Sequence, residues 1–530
     1  MCIVAIDTGR QWGGVSEMIG AEQHFPNELL VILYPKVGLL NSDWARYLKV
    51  MSESIPKIIK KGVLLNDYQL DILCCLSLNS QFVTQLIQIA NAHDSPFSDR
   101  FSMAKIRTNL ICSFLKISDD SDGCVLLISK GVIPILKQWF LTEDNASIEC
   151  ADIALIFSRL SKNPEGLNAL NDQDIIKKLM QFSFFLYSPK SEARDSKTRV
   201  HVVMTVGRLA TKFDASRYLI SCNLVSFLIQ SINLPHTSGE RHALLFAIER
   251  LSENPNQYGL EGLISQDILK RLFECAKLEN VRFEQYVQIL GIIGTIANLY
   301  SGRCALIEQN IKNDLRALIH RFNHHPRAFD NILLIFVGIS SEFKLVTSNT
   351  RAFLDAIIEL GVIDCLHEYI CSNHHTQERR GRISLVLGRI AQYPELIVAG
   401  WYEAFLLCLI DWAKLPDNTP YILDQIVWAI SKIFKNMKEK TRFINRDFIQ
   451  SMIQIIELPD LSTQSSNHIA FIIREVAEQP KKRDILIEFL PRLMLGIKSS
   501  HSRQRYNWET DIFIAISECL SYWGPSLHEC

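Results

Sequence analysis

A three-residue phrase, polar then apolar then small or polar, returns ten times along this chain. Its copies are Lys116-Ile117-Ser118, Arg159-Leu160-Ser161, Arg208-Leu209-Ala210, Arg250-Leu251-Ser252 and Asn298-Leu299-Tyr300. They continue as Gly338-Ile339-Ser340, Arg389-Ile390-Ala391, Lys432-Ile433-Phe434, Glu475-Val476-Ala477 and Glu518-Cys519-Leu520. With the first residue of each copy as slot 0, the intervals are 43, 49, 42, 48, 40, 51, 43, 43 and 43 residues. A spacing held through nine intervals means one supersecondary unit stacked on copies of itself, each too small to bury its own apolar face.

The residues around the phrase identify the unit. Slots −6 and −2 are apolar in every copy, from Leu110 and Phe114 to Ile512 and Ile516. With slot +1 they form the i, i+4, i+7 stripe of a helix buried along one face. At about 100° per residue, slot 0 lies ~130° from the centre of that stripe and points away from the core. Slot −4 shares that outward side. A second apolar helix precedes each phrase-bearing helix: Gly131-Val132-Ile133-Pro134 and Gly361-Val362-Ile363 open two of them, with glycine ending the previous turn. Asp174, Asp267 and Asp447 are expected to cap others. No pair of alternating strands joined by Asn-Gly or Asp-Gly follows residue 40, so the expected class is all-α.

Composition narrows the setting. The 530 residues carry 56 Lys+Arg and 57 Asp+Glu, a net charge of −1, which gives no whole-molecule attraction to nucleic acid or an anionic membrane. Apolar residues are 48% and charged residues 21%, the balance of a folded chain. The 14 cysteines are scattered without a Cys-x-x-Cys pair, as for reduced thiols in a cytoplasmic or nuclear protein. The longest apolar runs fall short of the ~18 residues a membrane span needs, and the N-terminus lacks the order of a secretory signal.

A unit of about 45 residues built from two or three helices lies in the armadillo/HEAT range. Leu127 to Leu136 followed by Glu149 to Ser161 resembles an armadillo repeat, as does Ile358 to Ile363 followed by the helix ending at Arg389-Ile390-Ala391. The likeness runs from about Arg107 to Trp523, and HEAT repeats grade into the same pattern. It implies a right-handed α-solenoid of about ten armadillo-like repeats over residues 106–530, with residues 1–105 as a helical N-terminal cap that matches the repeat poorly. Within that cap, Asp43–Lys61 and Tyr68–Asn91 read as helices.

In armadillo proteins slot 0 of the last helix lines a concave groove, often with an asparagine that grips an extended peptide. By that resemblance the partner-binding residues are Lys116, Arg159, Arg208, Arg250, Asn298, Arg389 and Lys432, and the row then turns acidic at Glu475 and Glu518. Slot −4 adds an apolar row: Leu155, Met204, Phe246, Leu334, Leu385, Trp428, Phe471 and Ile514, with Phe246 and Trp428 the prominent members. A cationic row beside an apolar one suits an extended protein segment carrying acidic and apolar side chains. The cations steer it and the apolar row holds it. Nuclear import adaptors carry several Trp and Asn in these slots; here only Ile426 to Lys432 resembles that helix, and a cationic groove would repel basic import signals. The expected function is therefore a non-catalytic scaffold or adaptor. A myosin-directed client-binding chaperone of the armadillo type and an RNA-binding solenoid are the alternatives.

Signals for chemistry are slight. Asp7-Thr8-Gly9 matches the aspartic-protease triplet by chance, without a second triplet. No Gly-x-Ser-x-Gly, phosphate-loop or His-Glu-x-x-His motif occurs. His320, His324 and His325 have helical metal-ligand spacing with no further ligand in the segment, and His374-His375 reads as surface. No catalytic residue, metal or cofactor is expected.

Overall fold

The computed structural model describes residues 41–61, 65, 79–92 and 100–499, together with 517. Within 100–499 it omits 146, 189–195, 235–236, 254–257, 280, 309–311, 323, 342–349, 371–375, 394–400, 438 and 459–460. Among the described residues the secondary structure is helical and contains no strand. The chain divides into two units, residues 1–266 and 267–530, a division that falls inside the region read as the repeat array.

Helices recur as a short one, a medium one and a long one that ends on the phrase. The long helices are α1 (Arg100–Ile117), α2 (Ile148–Leu160), α3 (Ser196–Leu209) and α4 (Ser238–Ser252) in the first unit. The second unit has α5 (Phe283–Ala297), α6 (Pro326–Ser340), α7 (Gln377–Ile390), α8 (Pro420–Asn436) and α9 (Thr463–Ala477). Consecutive long helices pack side by side within each unit. Between α1 and α2 the intervening pair is Ser121–Ser129 and Val132–Thr142; between α2 and α3 it is Pro164–Leu170 and Gln173–Leu186. In the N-terminal region, Asn41–Lys60 and Ser80–Ala92 are helical and pack on each other and on α1. The rest of the stretch read as a helix from Tyr68 lies outside the described residues.

The stripe read from sequence is the core. Leu110, Phe114 and Ile117 of α1, Ile153, Phe157 and Leu160 of α2, and their counterparts in α3, α4 and α6 to α9 are all 4% exposed or less. Each long helix thus buries three large apolar side chains, each contributing about 1.5–3 kcal/mol relative to exposure. Burial also raises thiols: Cys150 in α2 and Cys365 in the medium helix Val362–Ile370 are each pushed up to about 12, chiefly by desolvation.

The joint before four of the medium helices takes a left-handed residue, whereas Asp172 and Asn445 enter theirs from extended backbone. Gly131 (φ 78°) and Gly361 (φ 65°) supply the left-handed residue as the sequence predicts, and Asn223 (φ 64°) and Asp267 (φ 60°) fill the same place elsewhere. The capping expectations shift by one or two residues. Asp172, not Asp174, accepts from the first-turn amides Asp174 N and Ile175 N, and Asn445, not Asp447, accepts from Phe448 N. Asp174 and Asp447 sit inside the first turn, where the helix dipole favours a carboxylate without a capping bond. Asp267 occupies a cap position but its side chain accepts no capping hydrogen bond.

Candidate interaction face

Slot 0 lies one or two residues before the end of most long helices, beside the C-terminal carbonyls of the preceding long helix. Helix-end carbonyls lack intrahelical donors and carry partial negative charge, so an arginine within reach is drawn to them. Three slot-0 arginines make the same connection. Arg159 Nη1 donates to Leu115 O at 2.5 Å and to Ser118 Oγ at 3.1 Å. Arg208 Nη1 donates to Ser158 O at 2.9 Å and to Ser161 Oγ at 3.1 Å. Arg389 Nη1 donates to Val337 O at 2.6 Å and to Ser340 Oγ at 3.3 Å. In each case the acceptors are slots −1 and +2 of the preceding helix, and the slot +2 serine donates its own hydroxyl to that same slot −1 carbonyl. The result is a closed triangle of arginine, serine and carbonyl that ties one repeat to the next.

These clamps set how much cation remains outward. Arg389 is buried at 7% exposure, and desolvation, with Arg303 nearby, holds its guanidinium below the usual arginine value. Arg208 is half-buried and lowered by desolvation as well. Arg159 adds an ion pair to Asp119 at 2.5 Å. Lys116 is half-buried at the end of α1. Arg250 and Lys432 follow helices whose slot +2 is Ala210 or Ala391, and neither reaches a carbonyl of the preceding helix among the described residues. Arg250 instead pairs with Glu253 at 2.7 Å on its own helix turn. Desolvation and Lys435 hold the Lys432 ammonium below its ordinary value. Glu475 is taken by Lys440 at 2.6 Å, and Glu518 lies outside the described residues.

Asn298 is a correction of register. It stands beyond the last residue of α5 as its C-cap and is exposed. Thr295 occupies the slot, because Ile289, Ile293 and Ile296 are then the three buried positions, each 0% exposed. Gly294 at slot −1 then meets slot −4 of the next helix, Leu334, as elsewhere in the stack.

Slot −4 is half-buried at Leu155, Met204, Phe246, Leu334, Leu385, Trp428 and Phe471. The two largest rings show how. Phe246 lies against Gly207 and Trp428 against Gly388, each a slot −1 glycine of the preceding helix. A Cβ at Gly207 would come within 3.0 Å of Phe246 Cδ1, and one at Gly388 within 2.2 Å of Trp428 Cζ3. Arg208 and Arg250 place their guanidinium carbons 6.0 Å and 5.1 Å from the centroid of the Phe246 ring. Lys435 Nζ and Arg474 Cζ lie 5.8 Å and 5.7 Å from the Phe471 centroid. Such contacts orient the cations over aromatic faces.

Two residues absent from the sequence reading belong to this face. His201 Nδ1 is 3.3 Å from Ser158 Oγ, and His468 Nδ1 is 3.4 Å from Ser431 Oγ, both pairs joining slot −7 to slot −1 of the preceding helix. Burial first, then Arg159, Lys197, Lys162 and Arg208, bring the His201 pKa from 6.5 to about 4; burial and Lys432 lower His468. Both folded-state values lie below the unfolded one, so the unfolded chain takes up more protons as pH falls. The stability they contribute is complete above about pH 6.5 and is lost toward pH 4. Urea midpoints should therefore be level from pH 8 to 7 and fall from pH 6.5 to 5. The His201→Gln/His468→Gln double variant should flatten that fall; an unchanged slope would remove the histidines as its cause.

His320 and His325 lie on separate helical segments, the first in Lys312–Phe322 and the second as N-cap of α6, its ring tilted 42° against Phe283 with centroids 3.8 Å apart. Among the described residues no group of three His, Cys, Asp or Glu side chains is placed to hold a metal. His374-His375 and Asp7-Thr8-Gly9 lie outside the described residues. No single helix among them is long and apolar enough to cross a membrane.

No protein-family model matches the chain. No curated protein matches its sequence. Solved structures do match the fold. One is the crystal structure of an engineered protein, 12% identical, with a TM-score of 0.63 over 82% of this chain and 98% of that one. Another comes from a study of a phosphorylation switch controlling the interaction between cadherin and β-catenin, 12% identical, with a TM-score of 0.53 over 87% of this chain and 99% of that one. At this identity the likeness is one of fold: the chain shares the all-helical architecture of these structures.

Proposed function

We propose that this chain is an armadillo-type repeat protein of about ten repeats, acting as a non-catalytic scaffold or adaptor that holds acidic, apolar extended segments of other proteins. The three-helix cycle and the fold likeness support the repeat type. The observation that carries the binding reading is the half-exposed apolar row at slot −4 running beside the slot-0 cations. A core row would be buried like slots −6 and −2, and a solvated row would be polar. An apolar side chain left half-open on successive helices is a surface with contact area still to bury. The scattered cysteines, with no Cys-x-x-Cys pair, suit the reducing setting of the cytoplasm or nucleus.

The clamps change which variants can test this. Reversing Arg159 or Arg208 would break inter-repeat triangles as well as any partner contact. The clean probe is the apolar row: Met204→Ser together with Leu385→Ser trims one half-exposed side chain in each unit. Affinity purification with mass spectrometry, run on wild type and this variant at matched thermal stability, should lose the same set of partners. An unchanged partner set would refute the row as the binding face. A client-binding chaperone would differ by suppressing aggregation of an unfolded client, and an RNA-binding protein by steep salt-dependent retention on nucleic acid.

A further inference from the structure

The two units carry the same local assembly. In the first, Gly207-Arg208-Leu209-Ala210 ends α3, and α4 supplies Phe246 and Arg250. In the second, Gly388-Arg389-Ile390-Ala391 ends α7, and α8 supplies Trp428 and Lys432. The parts match one for one. The arginine of the Gly-Arg pair turns back and is clamped to the helix before it. Its glycine leaves room for the ring of the next helix to lie close against it. The alanine two residues after the arginine removes the hydroxyl that completes the clamp elsewhere, and the cation of the next helix stays off the preceding carbonyls. Clamped cations have committed N–H donors to the helix-end carbonyls and serines of the preceding helix; Arg250 and Lys432 have not. Arg250 lies over the Phe246 ring and pairs with Glu253 in an exposed ion pair, an interaction of about 0–1 kcal/mol that an incoming carboxylate can displace. Lys432 has no carboxylate partner among the described residues, and half-burial makes its ammonium the more ready to take one.

We propose that Phe246 with Arg250, and Trp428 with Lys432, are two equivalent anchor sites, each taking a carboxylate and an apolar side chain from an extended segment of a partner protein. The proposal rests on the scaffold reading and narrows it from a whole row to one ring and one cation per unit. Charge complementarity selects the acidic partner, and spacing selects its pattern. Slots −4 and 0 are one helical turn apart, about 6 Å at 1.5 Å per residue. Two residues of extended chain span about 6.6 Å and point to the same side. The fitting segment therefore has an acid and a large apolar residue two positions apart, with the intervening side chain turned outward.

The test uses the full chain and a nine-residue peptide in which Asp and Leu alternate at every second position between serines, with a matched peptide carrying Lys for Asp. By titration calorimetry the wild type should bind two equivalents of the Asp peptide and neither bind the Lys peptide nor lose its ligand to oligouridine RNA. Arg250→Gln and Lys432→Gln should each weaken one of the two sites about tenfold, and the double variant both, with unchanged thermal unfolding. Binding that survives in the double variant but fails in Met204→Ser/Leu385→Ser would leave the row standing and overturn the anchors. Equal binding of the Lys peptide, or displacement by RNA, would overturn the acidic-segment assignment outright. No binding by wild type would overturn both.

Discussion

Arg389→Ala should destabilise the second unit by about 2–3 kcal/mol, while Arg250→Ala should change the stability of the first by no more than about 0.5 kcal/mol. Both residues occupy slot 0 of a long helix and both read as cations on an outward edge. Arg389 is 7% exposed and donates to Val337 O and Ser340 Oγ, so its removal strips a charged donor from a helix-end carbonyl and leaves space in a buried seam. Desolvation of the guanidinium, which holds its pKa down, offsets part of the gain and limits the loss. Ser340→Ala removes the third corner of the triangle and should cost about 1 kcal/mol. Because serine and arginine share one acceptor, the two losses should not add: the double variant should fall short of their sum by at least about 0.5 kcal/mol. Urea unfolding followed by far-ultraviolet circular dichroism measures all four variants. Equal midpoints for Arg389→Ala and Arg250→Ala would mean that the clamp contributes nothing, and the division of slot 0 into held and available cations would fall with it.

How much of this was open to a reader of the sequence depends on how local the cause is. The buried stripe needs only helical geometry, and among the described residues slots −6, −2 and +1 are buried in each copy where the phrase is in register. The register failed at α5 because isoleucine stands at 289, 292, 293 and 296, so two alignments three residues apart both satisfy the stripe. Asn298-Leu299-Tyr300 then imitates the phrase just past the helix end. A helical wheel gives the direction of slot 0 but treats one helix alone, whereas an arginine side chain reaches the helix next to it. That reach left one readable trace: serine at slot +2 precedes a clamped arginine at Ser118, Ser161 and Ser340, and alanine precedes the unclamped cations at Ala210 and Ala391. The slot −1 glycines could be seen as well, but the rings covering them belong to a helix about 40 residues further along.

Gly388→Ala carries the other large expected effect, and its rescue separates packing from binding. A methyl there would sit 2.2 Å from Trp428 Cζ3 and 2.5 Å from Cε3, far inside contact distance, and the neighbouring Arg389 is anchored so that α7 cannot turn away. Overpacking of this kind typically costs 1–3 kcal/mol. The indole must leave its seat, and the second unit should unfold at a lower urea concentration by an amount in the upper part of that range. Trp428→Leu in the same chain removes the clash and should recover most of the loss, giving a coupling of at least about 1 kcal/mol between the two positions. The rescued protein keeps Lys432 but has no broad ring beside it. It should therefore fold like the wild type and yet bind the Asp–Leu peptide at one equivalent instead of two. If Trp428→Leu fails to rescue Gly388→Ala, the ring is not seated on the glycine; if it rescues folding and both equivalents remain, the indole is a packing element and the second anchor lies elsewhere.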